Sequence, residues 1–138
     1  MIKSYTLKEN ELNTLIDELL GEFKNGVVIL KGDLASGKTT LVKAIAKTKG
    51  VAQDVTSPTF SLQHIYGDGI FHYDLYNKGL DHFISLGMLE ELEKEGLHFV
   101  EWGDERLEKL LKDVGIDVAV IKIDKVAFDK REYKLCIN

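Results

Sequence analysis

The sequence predicts an α/β fold, a central mixed β-sheet flanked by helices, on three observations. A β-branched run, Val27-Val28-Ile29-Leu30, leads straight into a glycine-bounded turn, Gly32 to Thr39. That turn opens onto Leu41, Ala44, Ile45 and Thr48, which recur on one face of a helix. Short apolar or alternating runs then return several times between helical segments, the pattern of strands gathered into one sheet beneath helices. A length of 138 residues suits one domain spanning 1–138.

Taken in chain order, Thr6-Leu7-Lys8-Glu9 has the form of a capping box. It precedes Leu12, Leu15, Ile16, Leu19 and Leu20 at helical spacing, so a first helix is predicted to end at Gly21. Asn25-Gly26 opens the strand Val27–Leu30, whose unbroken apolar character is that of a strand buried on both faces. The helix after the turn should stop at Gly50. Phe60 to Tyr66 and Ile70 to Tyr73, parted by Gly67-Asp68-Gly69, predict a hairpin. One or two short helices follow between Leu80 and Glu95. Leu97 to Val100 reads as an apolar strand ending in Glu101, and Asp104 to Leu111 as helix. Val118 to Ile123 and Tyr133 to Ile137 alternate as half-buried strands that complete the sheet. The single proline, Pro58, lies in a polar segment, Thr56-Ser57-Pro58-Thr59, read as an ordered but movable loop.

Composition narrows the function. Hydrophobic residues make up 44% and charged ones 30%, values of a globular chain with a real core. No stretch is long and apolar enough to span a bilayer, and the N-terminus carries no export signal, which makes the cytoplasm the expected location. Cys136, the single cysteine, is expected to be a buried apolar thiol without a function. Net charge is −5, and the lysines are scattered among acids with only two arginines, Arg106 and Arg131. Nucleic-acid binders concentrate Lys and Arg on one face, so any RNA is expected to reach this chain through a partner.

Gly32-Asp33-Leu34-Ala35-Ser36-Gly37-Lys38-Thr39 fits the pattern G-x-x-x-x-G-K-S/T, and it sits between strand and helix as its chemistry requires. This is the phosphate-binding loop of a P-loop NTPase fold, with ATP and magnesium as the expected ligands. Glycines at both ends let the backbone curl so that successive N–H groups point inward, and the helix that follows adds the positive end of its dipole. Lys38 brings a compact positive charge to the β- and γ-phosphates, and the Thr39 hydroxyl is placed to ligate magnesium. Asp33 and Ser36 serve through their backbone amides, with Leu34, Ala35, Gly37 and Thr40 completing the cradle.

Such a loop needs a carboxylate near the metal, at the end of an apolar strand beside it. Asp74 follows Ile70-Phe71-His72-Tyr73, and Glu101 follows Leu97-His98-Phe99-Val100. Spacing alone leaves both open: one to hold magnesium, the other to orient the attacking water. His64, His72 and His98 lie in strand-like runs and are read as hydrogen-bonded structural residues. Trp102 is read either as core or as part of a binding surface.

Guanine specificity is disfavoured, because in Asn77-Lys78-Gly79-Leu80-Asp81 the aspartate falls one place late for N-K-x-D. A small-molecule kinase is the weaker alternative, since two arginines are too few for a phosphate-clamping lid. Slow ATP hydrolysis, stimulated by a partner that orders loops or supplies a cation, is the expectation.

Four blocks in order, Gly32 to Thr40, Ser57-Pro58-Thr59-Phe60, His72-Tyr73-Asp74-Leu75-Tyr76 and Glu101-Trp102, resemble the bacterial TsaE (YjeE) family over nearly the whole chain. The resemblance implies an ATPase required for threonylcarbamoyladenosine formation on tRNA, one that acts beside the TsaD and TsaB proteins and resets the complex after transfer. It assigns magnesium to Thr39 and Glu101, makes activity depend on Asp74, and puts Ser57 to Thr59 in a switch-like loop near the γ-phosphate. Thr6 lines up with a position near the nucleotide, although a helix cap explains it equally well. Two departures stand out: Ala35 replaces the family's usual glycine, and Asn77 replaces an arginine that often follows D-L-Y. A nucleotide-gated docking module with incidental hydrolysis is the alternative reading of the same residues.

Overall fold

The computed structural model describes residues 1–33, 36–51, 63–67, 69–76 and 79–137. Its strands are β1 (Ile2–Leu7), β2 (Gly26–Lys31), β3 (Gln63–Tyr66), β4 (Ile70–Asp74), β5 (Leu97–Glu101), β6 (Val118–Lys125) and β7 (Arg131–Ile137). Its helices are α1 (Asn13–Glu22), α2 (Lys38–Thr48), α3 (Gly79–Ser85), α4 (Met88–Glu91) and α5 (Glu105–Asp113). The strands form one mixed sheet in the order β1-β7-β6-β2-β5-β4-β3. β6, β2, β5 and β4 run parallel, while β3, β7 and β1 pair antiparallel with their neighbours.

β2 lies between β5 and β6, and Val27 to Leu30 are wholly buried, as a central parallel strand covered on both faces must be. On one face Val28, Leu30, Phe99 and Ile121 pack against Leu15, Ile16 and Leu19 of α1 and Leu41 and Ile45 of α2. On the other, Val27, Ile29, Tyr73 and Val100 pack against Phe83 of α3 and Leu107 and Leu111 of α5. Asp104 starts α5 by accepting from the Leu107 amide at 2.9 Å, a cap that contributes about 1 kcal/mol.

The chain start differs from the expectation. Thr6 belongs to β1 and stands opposite Glu132 of β7, so Thr6-Leu7-Lys8-Glu9 is no capping box. Pairing along β7 satisfies backbone groups from Ile2 to Leu7, while Tyr5 and Leu7 pack on the α1 side of the core, and this outweighs the local cap signal. The reciprocal contact falls later: the Lys8 amide donates to the Glu11 carboxylate at 2.8 Å above a short 3-10 turn, Glu9–Glu11, and α1 begins at Asn13. Cys136 is half-buried on β7 rather than in the core.

The remaining expected elements form. Tyr66 pairs with Ile70 across the hairpin turn. Phe60 to Leu62, Asp68, the Ser57 to Thr59 loop and Asn77 lie outside the described residues.

Candidate functional site

The glycine-bounded turn joins the C-terminal end of β2 to the start of α2. Gly37, with φ +108°, is the left-handed N-cap of α2. A Cβ on Gly32 would lie 2.6 Å from Ser36 Oγ and 2.7 Å from the Ile123 carbonyl, so only glycine fits the close approach there. Lys38 folds back across the loop: its Nζ donates to the carbonyls of Gly32 at 2.6 Å and Asp33 at 3.0 Å. The Lys38 side chain is buried, and burial pushes its pKa down against the opposing pull of Glu101, Asp74 and Asp33. Of the rest of the motif, Asp33 is exposed and Ser36 buried, while Leu34 and Ala35 lie outside the described residues.

Sheet register brings the two candidate acids together. Asp74 and Glu101 are partners across β4 and β5 and share one face of the sheet at its C-terminal edge. Glu101 is buried and accepts from the Thr39 hydroxyl at 3.0 Å through Oε2. Asp74 is half-buried, and its Oδ1 accepts from the Tyr76 amide at 2.9 Å. Among the described residues no three His, Cys, Asp or Glu side chains converge as a self-sufficient metal cage. Thr39 and Glu101 instead offer two adjacent hard oxygens, the donor chemistry that fits a magnesium ion sharing its shell with phosphate and water.

The three strand histidines have partners. Tyr66 OH meets His64 Nδ1 at 3.0 Å. Tyr73 OH donates to His98 Nδ1 at 2.7 Å, and His98 Nε2 donates to the Lys94 carbonyl at 2.7 Å. Burial pushes the His98 pKa down and the Tyr73 hydroxyl pKa far up, so both are held neutral. His72 Nε2 contacts Glu101 Oε2, which ties it to the candidate site rather than to the core alone.

Two features carried no sequence signal. Arg131, 95 positions beyond Ser36, donates Nε to the Ser36 carbonyl at 2.8 Å and so braces the loop from β7. Beside it a cavity of about 420 Å3 runs along Gly37 and Thr40 to Lys8, Asn10, Tyr133 and the fully exposed ring of Phe128. Thr6 does not line it. On the other side of the loop Trp102 holds a left-handed backbone, φ 64°, the one such non-glycine residue among those described. Its ring lies 4.1 Å from Lys38 Nζ, measured to the ring centre, and packs against Tyr76.

A family model described as threonylcarbamoyl adenosine biosynthesis protein TsaE matches residues 6–133. Proteins named tRNA threonylcarbamoyladenosine biosynthesis protein TsaE align with this chain at 37% identity in Treponema pallidum and 36% in Bacillus subtilis, each match covering 66% of the chain. These matches span 68% and 64% of the relatives' own length, about two thirds. A third, from Rickettsia conorii, is 34% identical over 87% of the chain and 71% of the relative. The crystal structure of Bacillus subtilis YdiB superposes with a TM-score of 0.71 at 25% identity, covering all of this chain and 88% of that one.

Proposed function

The chain belongs to the TsaE family, the threonylcarbamoyl adenosine biosynthesis proteins, and from that premise we propose that it is the ATP-binding and ATP-hydrolysing subunit of the machinery that makes this tRNA modification. The observation that carries the reading is the position of Lys38, Thr39 and Glu101 around one mouth of the loop, with the ammonium and two hard oxygens converging there. Loop amides and the N-terminus of α2 hold the phosphates, and Lys38 exchanges its two carbonyl partners for phosphate oxygens. Thr39 and Glu101 would hold a magnesium ion, which when bound would supply positive charge beside the phosphates. Asp74, beside Glu101 and less buried, orients the attacking water. The cavity beside Gly37 and Thr40 takes the base and ribose, with Phe128 as a stacking surface.

Neither arginine points into the loop as a free cation: Arg131 donates to the Ser36 carbonyl, and Arg106 stands in an exposed pair with Asp81 at 2.7 Å. Hydrolysis by the isolated chain is therefore slow, and the complex with TsaD and TsaB accelerates it; tRNA is met through those proteins, in the cytoplasm. The same shortage of cations favours a second reading, a nucleotide-gated docking module.

Calorimetry with ATP and magnesium, followed by phosphate release and tRNA modification assays with TsaB and TsaD, tests the proposal. Heat of binding and turnover stimulated by the two proteins are expected; background turnover in their presence rejects the ATPase. Multiple-turnover modification by an Asp74→Asn chain that binds but does not hydrolyse ATP selects the docking module instead.

A further inference from the structure

The two buried histidines of the central strands are satisfied in opposite ways. His98 uses both ring nitrogens, Nδ1 toward Tyr73 OH and Nε2 toward the Lys94 carbonyl, as a histidine kept for the core does. His72 is equally buried, yet its Nδ1 has no partner among the described residues, and its one hydrogen bond goes from Nε2 to Glu101 Oε2. An orphaned ring nitrogen in a buried site is a standing cost that a phenylalanine at this position would avoid. A polar ring held at that cost has its use at the other nitrogen.

Glu101 Oε2 also accepts the Thr39 hydroxyl. A carboxylate oxygen has room for about two donors, so Thr39 and His72 together fill Oε2. Among the described residues nothing donates to Oε1. The geometry points to His72 as the positioning residue of the metal site: its Nε2–H pins Oε2 against Thr39, so that Oε1 is the oxygen presented to magnesium or to a water in its shell. Carboxylates and imidazoles that ligate metals are commonly oriented by such an outer hydrogen bond. Thr39 gives its proton to the same oxygen and keeps its lone pairs for the metal. The role needs only a hydrogen on Nε2, and His72 reaches it from β4, one strand across from Glu101 and two residues before Asp74.

This inference rests on the proposed magnesium-ATP site and adds a residue to it. The test is manganese titration of the full chain saturated with ADP, followed by electron paramagnetic resonance, beside calorimetry of ADP binding in chelator. His72→Phe keeps the ring shape without the donor, and His72→Gln replaces the donor with an amide. Expected are ADP affinity without metal within about twofold of the parent for both variants, manganese affinity about 10- to 100-fold weaker for Phe, and recovery of most of that loss for Gln. Parent-like manganese affinity in His72→Phe overturns the role. So does a Phe loss that Gln fails to recover, or one matched by an equal loss of metal-free ADP binding. Should Phe fail to fold, His72→Asn, whose amide is too short, takes its place with the same expected loss. A parent chain that binds ADP with no manganese dependence rejects the magnesium site itself, a result distinct from parent-like variants on a metal-dependent parent.

Discussion

Asp74 and Glu101 stand opposite one another on adjacent parallel strands; Glu101 accepts from the Thr39 hydroxyl, while Asp74 accepts from the Tyr76 amide. Glu101→Ala should therefore raise the magnesium concentration needed for nucleotide binding, whereas Asp74→Asn should leave it unchanged and lower kcat by about 100-fold or more, the usual worth of a positioned acid-base group. Calorimetry across magnesium concentrations and phosphate release with TsaB and TsaD present read the two effects. The reverse pattern would swap the assignments.

The loop glycines predict losses with different causes. Gly32→Ala drives a Cβ into Ser36 Oγ and the Ile123 carbonyl, and overpacking of this kind costs about 1–3 kcal/mol. Among the described residues Gly37→Ala meets nothing closer than Arg131 Nε at 3.7 Å, but its left-handed backbone costs a non-glycine residue about 1–3 kcal/mol. Urea unfolding should show both losses. Adding Ser36→Gly should recover part of the first and none of the second.

Trp102 is the single tryptophan, and its ring lies over the ammonium that the nucleotide would draw away. Emission should change saturably as ATP is added, with the midpoint that calorimetry gives. In Lys38→Met the change should vanish together with binding. An unchanged spectrum in a chain that binds ATP by calorimetry would mean that Lys38 stays under the ring.

Arg131→Gln should weaken nucleotide affinity by about tenfold or more, since a hydrogen bond from a charged donor is worth about 1.5–3 kcal/mol and this one holds the loop in its binding shape. Arg131→Lys should not restore it, because an ammonium lacks the fixed Nε direction of the guanidinium. Affinity measured by calorimetry at equal ionic strength decides the point.

Burial holds the His98 pKa below its ordinary 6.5, so below that pH the unfolded chain binds a proton that the folded chain refuses. The unfolded state then has more protons bound, and stability falls as pH drops below 6.5, by up to about 1.4 kcal/mol per pH unit, until the folded-state pKa is reached. His98→Phe, stacked on Phe71, should flatten this part of the profile while costing stability at every pH through the lost Tyr73 acceptor. Urea midpoints between pH 5 and pH 8 check both the slope and its disappearance.

Contiguous signals were legible in the sequence. The strand Val27–Leu30, the turn from Gly32 to Thr39 and the helix after it are short-range features, written in β-branching, glycine spacing and helical periodicity, and the structure has the strand and the helix on either side of the turn. The four spaced blocks likewise carried the family. Tertiary structure decided what depends on pairing between distant segments. Register placed Glu101 against Thr39, 62 residues away, and set Asp74 directly across from it with a contact to the Tyr76 amide, a relation that local sequence left open. Pairing with β7 drew Thr6 into a strand despite its capping pattern, and the same strand delivered Arg131 to Ser36. The physical reason is that local propensities are worth tenths of a kcal/mol to about 1 kcal/mol per residue, whereas a sheet satisfies whole rows of backbone groups and buries side chains at once. Which distant residues meet is set by that larger sum, which no window of sequence contains.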